Sequence, residues 1–190
     1  MKSKLDLDKL KKLWKDLSNE NEGDFSFKDL IQANVNTWIY VLKLNLKYKG
    51  YSINIEQPLF ILSKKEYSVK HLVFKIEKES KNKFYLSIWK KDFFDRIFSI
   101  NKVRTRDNEF DKKFGIKSNN TRFAIPFFND KEIREIFLKD ENLFFRVFTE
   151  NQMLTVLMKH TLFIDSKDKF NKLYSTFKTL VDKLIETQIL

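Results

Sequence analysis

The 190-residue chain contains no cysteine, only three glycines and only two prolines. Without cysteine it has no disulfide, no thiolate zinc site and no cysteine nucleophile. The glycines stand alone, so the Gly-x-Gly-x-x-Gly fingerprint and the Gly-Lys-Ser/Thr phosphate loop are both absent. These absences exclude the common dinucleotide and P-loop sites, and we expect no cofactor.

Long apolar runs are missing as well. No stretch approaches the roughly 18 residues of a membrane span, and acidic residues stand near the start, where a signal peptide needs an apolar segment. With 42% hydrophobic residues, the chain can bury a core without metals or disulfides. We therefore expect a soluble, cytoplasmic protein without a transmembrane segment.

Metal-ligand patterns are equally scarce. The two histidines, His71 and His160, lie far apart in sequence and have no ligand spacing. The acidic stretch Asp107–Asp111 resembles the start of a calcium loop, but Lys112 replaces the glycine at the sixth position and Ser118 stands at the twelfth. We predict no metal site.

The main positive signal is a localised charge. The chain has 37 basic and 26 acidic residues, a net charge of +11. Residues 1–42 have seven of each sign and residues 123–190 have ten of each, whereas residues 43–122 have 20 basic and nine acidic residues. An A/T-rich coding bias would enrich lysine throughout, and it does not readily explain this confinement. A local excess of positive charge attracts anionic partners.

Hydrophobic periodicity predicts the elements of the first half of the chain. A helix over 6–18 is followed by a polar connector at 18–24 and a short helical turn at 27–33. A strand over 38–48 then turns at Lys49-Gly50 into a return strand that ends at Pro58. A second hairpin joins strands over 69–78 and 84–88.

In the second half we predict a strand over 98–106 and a helical turn at 110–114. The segment 129–132 resembles a capping box that opens a helix over 133–137. A third hairpin joins 144–148 to 154–158, and a long amphipathic helix over 170–185 follows, with Asp165 and Ser166 at its start.

These elements define an α+β fold: a mostly antiparallel sheet built from hairpins, with an N-terminal amphipathic helix, a short middle helix and a long C-terminal helix packed on it. We predict an N-terminal helix and polar connector over residues 1–24 and a single α+β domain over residues 25–190.

The basic segment contains the candidate site. Lys102, Arg104 and Arg106 alternate, which on a strand places them on one side at intervals of roughly 6.6 Å. The residues that we predict to bind an anionic partner are Lys102, Arg104, Arg106, Lys112, Lys113, Lys117 and Arg122. The aromatic residues interleaved with them are Tyr85, Trp89, Phe93, Phe94, Phe98, Phe110 and Phe114. Exposed aromatics beside cations are typical of single-stranded nucleic-acid sites, but aromatics in alternating strands usually pack inward, and this second reading is favoured.

The stretch Glu109–Ser118, followed by Arg122–Ala124 and a helix over 132–138, resembles an uncharacterised bacterial domain family. Its members carry Glu-Phe-(Asn/Asp/Glu)-(Lys/Arg)-x-Phe-x-Val. The resemblance covers roughly residues 70–190, and the chain departs from it at Gly115 and at Asn119-Asn120. It implies a shared domain and no activity. Physically, we expect Phe110 and Phe114 to be core anchors of the turn and not a binding site.

We therefore predict a non-enzymatic binding or interaction domain whose basic region 43–122 faces an anionic partner: nucleic acid, an acidic protein or an anionic membrane surface. For nucleic acid, neutralising about six phosphates gives a log–log salt slope of about −5. One alternative is a small-molecule-binding protein or enzyme with a pocket against the sheet, whose polar groups include His71, His160 and Asp111. The other is a structural or oligomerisation module that associates through the N-terminal helix.

Overall fold

The computed structural model describes residues 6–32, 37–62, 66–69, 71–92 and 103–190. The helices in these ranges are α1 (Leu7–Glu20), α2 (Asn108–Lys113), α3 (Thr121–Asn129), α4 (Lys131–Lys139) and α5 (Lys167–Glu186). The strands are β1 (Asp24–Gln32), β2 (Thr37–Tyr48), β3 (Tyr51–Leu62), β4 (Glu66–Val69), β5 (Leu72–Glu79), β6 (Tyr85–Lys90), β7 (Phe114–Ser118), β8 (Phe144–Glu150) and β9 (Met153–His160). Every strand pair with a defined register is antiparallel, so the predicted α+β class is confirmed.

The chain divides into two compact units. Unit 1 comprises residues 1–76 and 159–172, and unit 2 comprises residues 77–158 and 173–190. The elements β5, β9 and α5 therefore contribute residues to both units. The single domain over residues 25–190 stays a prediction.

In unit 1 the strand order is β1-β2-β3-β5, with β4 paired to the end of β3. Helix α1 begins after Asp6, whose side chain accepts a hydrogen bond from Lys9 N at 3.0 Å. Its apolar residues Leu10, Trp14 and Leu17 are buried, and the helix packs against β1 and β2. The predicted helix is confirmed. The apolar face of α1 is therefore covered within unit 1. It is not an exposed surface through which α1 could associate with a second copy of the chain.

Strand β1 takes the place of the helical turn expected at 27–33, which was wrong in its described part, up to residue 32. Residues 24–32 pair with β2 along their whole length. The half-buried side chains of Phe25 and Phe27 alternate with the exposed side chains of Ser26 and Lys28. This period of two is typical of a half-buried strand, and long-range pairing with β2 stabilises it.

Strand β3 continues through Pro58, where the sequence predicted its end. The β2–β3 hairpin turns at Lys49-Gly50, whose φ values are +47° and +83°. The register that this turn sets pairs Pro58 with Val41. In an antiparallel ladder that pair is one that exchanges no hydrogen bonds. On its other side, β3 pairs with β5 up to Glu56 and with β4 from Leu59 onward. The missing N–H of Pro58 falls in this gap, so no ladder hydrogen bond is lost.

In unit 2 the strand order is β9-β8-β6-β7. The predicted hairpin between β5 and β6 was wrong, because β6 pairs with β7 and β8 instead. The loop that follows β5 bonds to the β8–β9 hairpin: Ser80 N donates to Gln152 O at 2.8 Å, and Thr149 N donates to Phe84 O at 2.8 Å. Partners distant in sequence therefore take the hydrogen bonds that a local hairpin would have used.

The other predictions for the second half are largely confirmed. The β8–β9 hairpin turns at Asn151 and Gln152, whose φ values are +48° and +60°. Asp130 caps α4 by accepting from Glu132 N at 2.9 Å, and Ser166 Oγ accepts from Lys169 N at 3.4 Å at the start of α5. Among the described residues, no helix is long and apolar enough to cross a membrane.

An aromatic cluster fills the core of unit 2. Its fully buried rings are those of Phe110, Phe114, Phe127, Phe128, Phe137 and Phe145. The rings of Phe127 and Phe145 are parallel with centroids 6.0 Å apart, and those of Phe110 and Phe114 lie 5.0 Å apart. This cluster joins α2, α3 and α4 to one face of β7 and β8.

Candidate anion-binding surface

The six predicted anion-binding residues that the structure describes lie in unit 2, and Lys102 lies outside the described residues. Arg104 and Arg106 are exposed, but residues 103–107 form no strand. The expected strand over 98–106 was therefore wrong in its described part. The chain turns here because the Asp107 carboxylate caps α2, accepting from Glu109 N at 3.0 Å and from Phe110 N at 3.1 Å.

The two arginines flank a residue with a fixed position. Thr105 donates to Asp111 Oδ1 from both its N–H and its hydroxyl, each at 3.0 Å. Its hydroxyl also accepts from Asp107 N at 3.1 Å. The acids of the calcium-like stretch thus stabilise this turn. In the described ranges, no group of three His, Asp or Glu side chains could hold a metal ion.

Asp107 is further held by α4. Arg134 Nε lies 3.2 Å from Asp107 Oδ2, and the same guanidinium donates to Phe128 O at 2.9 Å. The hydrogen bond from Phe110 N, together with Arg134, lowers the pKa of Asp107 below its ordinary value. Arg134 is therefore engaged inside unit 2, with a structural role.

The remaining predicted cations differ in their partners. Lys113 Nζ lies 3.0 Å from Glu109 and 3.9 Å from Glu141, so its charge is balanced. Lys112, Lys117 and Arg122 are exposed. Within the described part of the chain, no carboxylate lies within 4.0 Å of these three, nor of the two arginines before α2. Unbalanced exposed cations are the groups that can bind an external anion.

Strand alternation separates two faces of β6, β7 and β8. Leu86, Ile88, Phe145 and Val147 are fully buried on the face that the aromatic cluster occupies. The alternate residues face the other way. In that direction Lys117, Ser87 and Arg146 form one row across the three strands, since Ser87 pairs with both of the others.

Two cations on this opposite face lie against aromatic rings. Arg146 Cζ is 4.9 Å from the centroid of Tyr85 and 4.6 Å from that of Phe148, and these rings are directly paired across β6 and β8. Lys117 Nζ is 5.8 Å from the Tyr85 centroid. We name Tyr85, Trp89, Lys117, Arg146 and Phe148 the cation–aromatic face.

Arg146 is partly desolvated within this face. Its Nε is buried and has no hydrogen-bond partner among the described residues. The side chains of Tyr85, Trp89 and Phe148 are half-buried. The face therefore presents half-buried aromatic side chains and a guanidinium with an unused donor.

The backbone of Tyr85 is firmly held. Its N–H donates to Asn119 Oδ1 at 2.8 Å, and its carbonyl accepts from Ser118 Oγ at 2.9 Å and from Asn119 N at 3.1 Å. Asn119 Nδ2 also donates to Lys83 O at 3.1 Å. The backbone from which this ring projects is thus held by a regular strand and by side-chain bonds at its end.

Sequence reasoning found only part of the face. Among the aromatic residues of the basic segment, Phe110 and Phe114 pack in the core, which is the reading that the sequence favoured. Tyr85 and Trp89, in contrast, are half-buried on the opposite face of the sheet. The other three lie outside the described residues. Arg146 and Phe148 were missed because they belong to a charge-balanced segment. The alternation of Phe144, Arg146 and Phe148 in a predicted strand was the available signal.

The charge excess does not map onto one unit. Unit 1 has 18 basic and 11 acidic residues, and unit 2 has 19 and 15. The basic segment is divided at residue 76, with seven basic and two acidic residues before the boundary and 13 and seven after it. Region 43–122 is therefore not a single surface of one unit.

The polar groups of the enzyme alternative have structural partners or lie apart. His160 is buried, and its Nδ1 accepts from Leu162 N at 2.8 Å, whereas His71 is exposed before β5. Asp111 holds Thr105, as described above. An open depression of about 450 Å³ lies between residues 79–81 and 151–153; another, of about 230 Å³, contains the Asp130–Lys183 ion pair at 2.7 Å. None of His71, His160 and Asp111 lines either depression.

The chain matches no protein-family model, no curated protein and no solved structure. The geometry of the described residues is therefore the basis for a functional proposal.

Proposed function

We propose that this protein is a non-enzymatic binding domain for an anionic partner, and that unit 2 binds the partner through the cation–aromatic face and its exposed cations. The observation that carries the proposal is the position of Lys117 and Arg146 in one row of a sheet face, against Tyr85 and Phe148. Nucleic acid is the partner class that combines a dense row of negative charges with planar rings.

The charge pattern supports this proposal because it separates two kinds of cation. Lys90 and Lys113 lie beside Glu141, and Lys139 lies 2.8 Å from Glu135. Such exposed pairs contribute little to folding stability and leave little net positive field. Lys117 and Arg146, in contrast, lie beside aromatic rings. A ring carries no net charge, so the positive charge of these two side chains is not neutralised.

Fluorescence anisotropy with labelled oligonucleotides tests the proposal. At about 50 mM salt, we expect binding that weakens steeply as salt is added, because phosphate contacts release counterions. Replacing Lys117 and Arg146 of the face with glutamine should weaken binding at least about tenfold, because each change removes a cation that neutralises a phosphate. The matched control is Lys131→Gln with Lys139→Gln, which removes two cations that flank Glu135 on α4.

The control variant should bind like the wild-type protein. If no oligonucleotide binds at about 50 mM salt, or if the control weakens binding as much as the variant with both Lys117 and Arg146 replaced, the proposal is wrong.

A further inference from the structure

We infer that the partner of the cation–aromatic face is single-stranded nucleic acid, whose unpaired bases stack on Tyr85, Phe148 and the guanidinium of Arg146. This inference rests on the proposed function, and it adds the class of nucleic acid and the mode of contact. It assigns recognition to planar groups, whereas the charge alone would accept any polyanion.

The composition of the face suits base stacking. Tyr85 and Phe148 are paired across two hydrogen-bonded strands, and the planar guanidinium of Arg146 lies within 5 Å of both ring centroids. Guanidinium planes and aromatic rings are the groups on which proteins stack splayed bases. Lys117, on the far side of Ser87, lies close enough to Tyr85 to bind the phosphate of a stacked nucleotide.

The burial of Arg146 also favours a bound ligand. Its Nε is buried without a hydrogen-bond partner among the described residues, and an unsatisfied buried donor costs free energy. A phosphate or a base edge at the face would accept from the terminal Nη groups of the guanidinium. The guanidinium is thus positioned by two rings and has donors available for a ligand.

The strand position of Tyr85 favours single strands over duplexes. Tyr85 lies in a regular strand whose backbone is bonded to Ser118 and Asn119, so its ring projects from a held position in the sheet. Bases in a duplex are already stacked on both sides and offer no free ring surface to such a platform. Unpaired bases do, and their stacking tolerates any sequence.

The test compares ligands that share phosphates and differ in bases. Anisotropy titrations would use a labelled 15-nucleotide thymidine strand, an abasic strand of equal length, a uridine RNA strand and a 15-base-pair duplex. We expect the thymidine strand to bind roughly tenfold or more tightly than the abasic strand, because stacking is worth about 1–3 kcal/mol per base. The RNA strand tests whether the 2′-hydroxyl changes affinity.

Two variants assign the effect to the face. Tyr85→Leu keeps an apolar side chain and removes the ring, and Arg146→Lys keeps the charge and removes the planar guanidinium. Each should lower affinity for the thymidine strand roughly 5- to 150-fold and leave affinity for the abasic strand nearly unchanged. The matched control is Tyr40→Leu, which removes a half-buried tyrosine of β2 that stacks on Phe27 in unit 1.

The outcomes are distinct. If thymidine and abasic strands bind equally and both respond to the cation variants, stacking is overturned while the proposed function stands. If the duplex binds as tightly as the single strand, the inference is also overturned. If no ligand binds, the proposed function and the inference both fail. Thermal unfolding of each variant checks its fold, and the comparison of wild-type ligands holds even if Tyr85→Leu does not fold.

Discussion

The indole ring of Trp89 occupies the space where any residue other than glycine at position 115 would place its Cβ. An ideal Cβ built on Gly115 would lie 2.6 Å from two ring carbons of Trp89. The two residues are directly paired across β6 and β7. Gly115 thus lets Trp89 lie across a neighbouring strand on the cation–aromatic face.

Gly115→Ala should displace the Trp89 ring and destabilise the protein. We expect a loss of about 1–3 kcal/mol in the free energy of unfolding, which is typical of overpacking, measured by urea denaturation. In a Trp89→Leu background the same substitution should cost less, because the flexible leucine can move. Equal costs in the two backgrounds would show that the ring is not what excludes a side chain at position 115.

Gln57 links β3 to the segment after β9 within unit 1. It is fully buried, donates to Leu162 O at 3.1 Å and accepts from Ile164 N at 3.1 Å. Gln57→Leu leaves both backbone groups unpaired, so we expect a loss of about 2–4 kcal/mol in the free energy of unfolding. Ser52→Ala, which removes an exposed bond to Asn45, is the matched control and should cost under about 0.5 kcal/mol. A similar loss in both variants would contradict the structural role of Gln57.

Asp130 makes stability depend on acid pH. Its hydrogen bond with Lys183 lowers the pKa of Asp130 below its ordinary value of 3.8, and the same contact raises the pKa of Lys183. A carboxylate with a lowered pKa stabilises the fold above its unfolded-state pKa, and this stability is lost as pH falls through the folded-state value. We therefore expect the free energy of unfolding to fall below a pH of about 4.

Asp130→Asn separates the charge from the helix cap. Asparagine caps helices as well as aspartate does, so the variant keeps the α4 cap and loses the ion pair. Its stability should be lower than that of the wild-type protein at pH 6 and should approach it at pH 3. Parallel pH profiles from chemical denaturation would show that the Asp130–Lys183 pair makes no contribution.

Local periodicity predicted the elements whose partners are near in sequence. Helix α1, the β2–β3 hairpin, the β8–β9 hairpin, α4 and α5 all have apolar spacings or turn residues that act within one segment. The partner of β6 was not predictable in this way, because β7 and β8 follow it only after α2 and α4 respectively. Helix α3 was missed because it contains Pro126, which normally ends a helix.

The candidate site was predicted only in part for a related reason. Composition located a basic segment, but the units divide that segment, and the cation closest to the rings comes from β8, outside it. The row of Lys117, Ser87 and Arg146 exists only because β6 pairs on both sides with strands distant in sequence. The register between strands depends on pairing of segments that are distant in sequence, so counting charges along the chain does not predict it.

The salt dependence of oligonucleotide binding tests the central claim most directly. For a single strand, each neutralised phosphate contributes about −0.7 to the slope of log K against log salt concentration. Lys117→Gln combined with Arg146→Gln should therefore make the slope of the folded protein less negative by about 1.4, and Lys117→Gln alone by about half as much. Unchanged slopes in these variants, with wild-type affinity, would contradict the assignment of anion binding to the cation–aromatic face.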